Sequence, residues 1–137
     1  MTEEIVRLGL AALVALGILA AGYLGRRLYA RIINRHTGLT AADLADRYEL
    51  KRGQTTVLYL AGDRCAQCIQ LQEPALNRLA EQRGIVVRKL DAPSEPELLG
   101  RFNIATVPST IVVGPDLSVR RVNVGFADAE TLEEQIA

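Results

Sequence analysis

An α/β domain behind a single membrane-spanning helix is what this sequence predicts, on three observations. Residues 8–24 carry no charge; the residues beyond about 40 alternate short β-branched runs with amphipathic stretches; and the only two cysteines fall where one such run gives way to a helix. Composition agrees. The chain is 49% hydrophobic but only 4% aromatic, without tryptophan, so its core is built from Leu, Val, Ile and Ala. Net charge is zero, and no global field points to nucleic acid as a partner. The charge is nonetheless divided: residues 1–37 sum to +3 and residues 38–137 to −3.

The uncharged run, LGLAALVALGILAAGYL from Leu8 to Leu24, spans roughly 25 Å as a helix, slightly short of a ~30 Å hydrocarbon core. Ile5 and Val6 lengthen it if Arg7 snorkels, and Tyr23 lies where an interfacial aromatic is expected, so residues 5–25 are read as a membrane anchor. A cleaved signal fits less well, because the chain opens Met-Thr-Glu-Glu and runs into arginines. A buried globular helix fits less well too, since apolar residues go all round. Arg26, Arg27, Arg31 and Arg35 follow the span, against Arg7 before it, and the positive-inside rule then favours a cytoplasmic domain. An outward-facing domain stays open. Gly17, Ala21 and Gly25 recur every four residues and would let two anchors pack as a homodimer, although small residues are ordinary in membrane helices. Residues 26–37 read either as a continuing basic amphipathic helix, with Leu28, Tyr29, Ile32 and Ile33 apolar, or equally as a solvated linker.

Thr37-Gly38 marks the expected boundary, giving an anchor over 1–37 and a domain over 38–137. Thr40-Ala-Ala-Asp43 reads as a capping box, with Asp for Glu, opening a short helix to about Tyr48. Thr55–Leu60 reads as a buried strand, and Cys65 to Gly84 as a helix kinked by Pro74. A second strand (Ile85–Leu90), a short helix (Glu97–Phe102), a hairpin (Thr110–Val113 and Ser118–Val124 around Gly114-Pro-Asp-Leu117) and a closing helix (Asp128–Ile136) follow.

Cys65-Ala66-Gln67-Cys68 is the candidate chemistry. A bridge between residues three apart closes almost no loop entropy, so it barely stabilises a fold. Structural zinc wants four ligands, and two Cys with a distant His36 do not supply them; no metal site is expected. Transient Cu(I) binding by two thiolates is a weaker alternative. A thiol attacks a disulfide only as thiolate, and a helix start aims backbone N–H groups and the positive dipole end at Cys65. Arg64 adds charge if it turns inward. Cys68 lies one turn deeper on the same face, so an exposed Cys65 forms a mixed disulfide that Cys68 resolves. No cofactor beyond the dithiol is needed. Thr106-Val107-Pro108-Ser109-Thr110, just before the third strand, is a place where the X-Pro bond is a candidate for cis.

These residues resemble the thioredoxin superfamily over about residues 40–137. The likeness rests on the strand-loop-C-x-x-C-helix order, Pro74 in the helix, Val107-Pro108, and Gly125 between the last strand and helix. Membrane-tethered bacterial thioredoxin-like proteins carry a stretch similar to Leu39–Leu44. The resemblance implies a thioredoxin-like fold, a mixed four- or five-stranded sheet flanked by helices. It also implies thiol–disulfide exchange with protein thiols and disulfides, Cys65 as nucleophile, Cys68 as resolving thiol, cis-Pro108 against both, and the Val107 backbone pairing with substrate. Departures from the family pattern are informative. Thioredoxin has W-C-G-P-C where this chain has Arg64-Cys65-Ala66-Gln67-Cys68, and a buried Asp where this chain has Tyr59. Lys89 matches the family's buried lysine with its usual partner missing, and Pro74 stands one position later than its counterpart. These losses motivate the alternative of a non-catalytic interaction or redox-sensing module.

Overall fold

The computed structural model describes residues 1–33 and 40–137. The chain divides into two compact units, Met1–Arg35 and His36–Ala137. The expected boundary at Thr37-Gly38, together with Arg35, His36 and Leu39, lies outside the described residues.

The first unit is one helix, α1 (Thr2–Ile33). Its stretch from Thr2 to Tyr29 is long and apolar enough to cross a membrane, with a mean hydropathy of 2.2. Leu8, Leu10, Leu13, Leu16 and Leu19 all stand exposed, so nothing in the unit covers them. Helix continues past the first arginines to Ile33, and the Arg27 guanidinium lies over the Tyr23 ring, 5.2 Å from its centroid. The rest of the expected basic helix falls outside the described residues. Gly17, Ala21 and Gly25 lie along one side, and a Cβ on either glycine would meet nothing within 4 Å.

The second unit opens with a short 3-10 turn (Ala42–Leu44) running into α2 (Ala45–Tyr48). The capping box forms only by half. Thr40 Oγ1 accepts the Ala42 N–H at 3.2 Å, but Asp43 does not reach back. Its carboxylate takes the Arg101 guanidinium at 2.6 Å instead, and that hydrogen bond holds Asp43 below the usual carboxylate range.

Four strands form one mixed sheet in the order β2-β1-β3-β4: β1 (Thr56–Ala61), β2 (Val86–Asp91), β3 (Ser109–Val113) and β4 (Val119–Val124). β1 pairs parallel with β2 and antiparallel with β3, which pairs antiparallel with β4. The first two strands each start and end one residue later than the sequence suggests, because pairing runs from Thr56–Val86 to Ala61–Asp91. The hairpin turn closes with the Leu117 N–H on the Gly114 carbonyl at 3.0 Å; Leu117, at φ 62°, keeps its left-handed backbone with a buried side chain.

Alternation along the strands builds two cores. One face, with Leu58, Leu60, Ile111 and Val113, packs under Tyr48, Leu98 and Phe102, covered by α2 and α4 (Pro96–Arg101). The other, with Val57, Tyr59 and Val112, packs against Leu76, Leu79, Leu132 and Cys68, covered by α3 (Glu73–Arg83) and α5 (Ala129–Ile136). Asp128 caps α5 by accepting the Thr131 N–H at 2.8 Å.

The segment from Cys65 to Gly84 is not one kinked α-helix. Cys68–Gln72 forms a π turn, in which the Glu73 N–H bonds the Cys68 carbonyl, and α3 begins only at Glu73. Proline cannot donate to the carbonyl four residues back, so Pro74 sits in the first turn of α3, where that loss costs least. Gln72, wholly buried, then turns inward. Its side-chain amide donates to the Ala127 carbonyl and accepts the Ala127 N–H, both at 3.0 Å, which clamps the site helix to the chain entering α5. Replacing Gln72 with Ala strands both Ala127 groups and is expected to destabilise the fold by roughly 2–4 kcal/mol. Urea unfolding of the full chain in detergent micelles measures it; an unchanged midpoint would remove the clamp.

Candidate redox site

β1 ends at Ala61, and Gly62-Asp63-Arg64 carries the chain from the C-terminal end of this central strand to Cys65. Cys65 and Cys68 are joined as a disulfide with their Cα atoms 5.2 Å apart. Their environments differ as the spacing requires. Cys68 is buried at 1% exposure, whereas Cys65 is half-buried rather than fully exposed, because the loop at Val107 partly covers it. The Cys68 N–H points at Cys65 Sγ from 3.1 Å. That is an unpaired helix-start donor spent on sulfur, and it stabilises negative charge there when the bridge is reduced.

An open depression of about 370 Å³ gives access to Cys65, lined by Gly62, Arg64, Ala66, Gln67 and Val107. Arg64, Ala66 and Gln67 are exposed around its rim. A Cβ on Gly62 would come within 3.3 Å of Val107 Cγ2, so glycine is what lets the Val107 loop close on the cysteines. The Val107–Pro108 bond is cis, with Pro108 buried and Val107 half-buried. Ser109 ties this loop down: its hydroxyl donates to the Thr106 carbonyl at 2.6 Å and accepts the Gly125 N–H at 3.4 Å. Gly125 itself has φ 95°, a conformation suited to glycine.

Of the two residues behind the bridge, Lys89 differs from expectation and Tyr59 does not. Lys89 is not buried: 63% of its side chain is exposed, and it does have a carboxylate partner, Glu73 Oε1 at 2.5 Å. Tyr59 is buried at 1% exposure beside Cys68, and its hydroxyl has no hydrogen-bond partner among the described residues. Burial, then the nearby Glu73 charge, pushes this phenol up to about 12. Sequence reasoning singled out the cysteines, Val107, Pro108, Tyr59 and Lys89. It missed Gly62, Gln72, Glu73 and Ser109, whose signal was at most a polar residue among apolar neighbours.

The sheet order, the cysteine pair at a helix start and the cis proline facing it can be set against solved structures. A mutant thioredoxin from Halobacterium salinarum NRC-1 matches with a TM-score of 0.57 at 22% identity, over 72% of this chain and 84% of that one. The domain has the thioredoxin fold. Thioredoxin-2, a component of a malaria parasite's protein secretion machinery, shares that fold at a TM-score of 0.51 and 21% identity, over 58% of this chain and 77% of its own. A further malarial protein matches at 0.52 and 19%, over 61% and 93%. No protein-family model matches the sequence, and neither does any curated protein.

Within the thioredoxin fold Tyr59 makes a sharp test of burial without pairing. Tyr59→Phe removes an unsatisfied hydroxyl and is expected to stabilise the domain by roughly 1 kcal/mol. The raised phenol also carries a sign. Its contribution is complete below the ordinary value of 10 and is lost as pH rises from there through about 12, so the variant unfolds less steeply over that window. Urea midpoints of the full chain from pH 8 to 12 measure both effects. A less stable variant at pH 8 would mean the hydroxyl is paired after all.

Proposed function

We propose that this chain is a membrane-tethered thiol–disulfide oxidoreductase acting on protein substrates through Cys65 and Cys68. What carries the reading is the asymmetry of the pair: one sulfur lines an open depression and receives a backbone N–H, while the other is buried one turn along. In the reductive direction the Cys65 thiolate attacks a substrate disulfide. A Cys65–substrate bond forms, the substrate S–S bond breaks, and the first substrate sulfur leaves as a thiol. Cys68 then attacks Cys65, the mixed disulfide breaks, and the second substrate thiol leaves. The substrate gains two electrons and the dithiol becomes the Cys65–Cys68 disulfide. Run backward, the same steps oxidise a substrate.

Substrate backbone pairs with Val107 beside cis-Pro108, supported by the proximity of Val107 to Cys65 across the same depression. Residues 5–25 supply the tether, and the arginines after them favour a cytoplasmic domain. A reducing cytoplasm keeps the pair as dithiol and makes reduction the working direction.

Cys68→Ser leaves Cys65 able to attack and unable to be resolved. Mixed disulfides through Cys65 are expected to accumulate, visible as reductant-sensitive bands in non-reducing gels of membranes from cells making the variant. Cys65→Ser serves as the control and should show none. Equal, background-level bands from both would point to a docking module instead, with the cysteines idle. A reporter fused after Ala137 reads the side of the membrane.

A further inference from the structure

Exchange of the kind proposed above needs a second proton to move, and the inference here rests on that reading. Cys68 is buried at 1% exposure, and its sulfur attacks only after losing its proton. The group that takes it must lie on the buried side of the bridge, away from Cys65.

A second pocket, of about 410 Å³, opens there. Cys68 and Ile69 form its helix wall, Ala61-Gly62-Asp63 its loop, and Lys89-Leu90-Asp91 its strand, with Glu73 beside them. Its charged lining is thus Asp63, Glu73, Lys89 and Asp91, and Tyr59 is buried in the cluster that holds Cys68. Lys89 is engaged with Glu73 Oε1, and the Tyr59 phenol, pushed up by its burial, keeps its own proton. Asp91, at the end of β2 beside Ala61, has Oδ2 engaged by the Ser94 hydroxyl at 2.7 Å, and Asp63 is exposed on the loop.

Glu73 is set apart by the π turn. Five residues along an ordinary α-helix rotate a side chain by ~140° net, nearly to the opposite side. Through a π turn the same five residues rotate it by only ~50°. The Glu73 N–H bonds the Cys68 carbonyl, so Glu73 stands one π turn above Cys68 and shares its side of the helix. Pro74 explains why: the turn absorbs one extra residue between Cys68 and the proline, which is the one-position displacement that the sequence shows against the thioredoxin pattern. Glu73 and Cys68 line the same pocket, and the Glu73 charge adds to the burial that pushes the Tyr59 phenol up. Lys89 holds Oε1, and Oε2 has no partner among the described residues.

We propose that Glu73 is the proton acceptor for Cys68, placed there by the Pro74-induced π turn. Across the solvent of this pocket the carboxylate takes the S–H proton of Cys68. The thiolate attacks Cys65, the Cys65–Cys68 bond forms, and the Cys65–substrate bond breaks with its electron pair leaving on substrate sulfur. Glu73 returns the proton to that leaving thiolate, so charge and protons balance over the step.

The test uses the reduced full chain in detergent micelles and one equivalent of 5,5′-dithiobis(2-nitrobenzoate). Release of the first thionitrobenzoate reports Cys65 attack, and release of the second reports resolution by Cys68. Glu73→Gln is expected to leave the first phase unchanged and to slow the second at pH 7 on the order of tenfold to a hundredfold. The gap should close toward about pH 9, where hydroxide ionises the thiol unaided. Glu73→Ala gives the same readout should the amide disturb the helix start. A second phase that superposes on wild type from pH 6 to 9 overturns the role of Glu73 alone, as does a slowing that is equal at every pH, which is what a merely structural defect gives. A wild-type chain that releases no thionitrobenzoate overturns the exchange reading, and Glu73 with it.

Discussion

Strand β1 has no exposed residue along its length, and the domain is organised around satisfying it. Water cannot reach its backbone, so both edges must be paired, and β2 and β3 take them from opposite sides. Both faces must be covered as well, which calls for helices on each side of the sheet. Beyond Ala61 the chain returns toward solvent, and at this C-terminal end of the strand the Gly62 loop delivers Cys65 to a helix start. The same burial excludes a charge on β1 itself unless it is paired, and Tyr59 meets that condition by staying neutral.

What keeps the two halves of the site together is a thin set of buried polar contacts. Ser109 bonds both the Thr106 carbonyl and the Gly125 N–H, so the cis-proline loop is tied to the end of β4. Two residues on, Ala127 gives its N–H and carbonyl to Gln72 in the π turn. The loop that faces Cys65 and the helix that carries Cys68 are thus joined through residues 125–127 by groups that satisfy one another. Apolar packing alone would let helix and loop slide; paired donors and acceptors set their register.

Much of this was legible in the sequence, for identifiable reasons. The strands announce themselves by β-branched runs such as Thr55–Leu60, and the cysteine pair by its position where a strand ends and a helix starts. Pro108 stood out as a proline at a strand start. Other features were not legible, because they depend on partners remote in sequence or on helix pitch. Asp43 looked like a capping residue, yet Arg101, 58 residues away, claims it. Lys89 looked unpartnered because its carboxylate comes from a helix rather than from the strand beside it. The π turn leaves no periodic signature. Its one trace was a proline out of step by a residue, which reads as loose alignment until the extra residue is seen looped into the helix.

The direction in which such a site runs is set by how the fold treats its two redox states. A donor that favours the Cys65 thiolate, such as the Cys68 N–H, stabilises the reduced form and makes the disulfide a better oxidant. The same donor favours the thiolate while lowering its intrinsic nucleophilicity, so gains in one respect are partly offset in the other. The inter-cysteine residues add no further fixed charge, since Ala66 and Gln67 are both neutral and exposed. Local chemistry alone therefore leaves the site able to run either way, and the compartment decides. That gives the arginines following the apolar helix a consequence beyond topology. On the proposed reading, a bias of the domain toward one side of a membrane would select the thiol pool against which Cys65 and Cys68 equilibrate, and with it whether substrates leave reduced or oxidised.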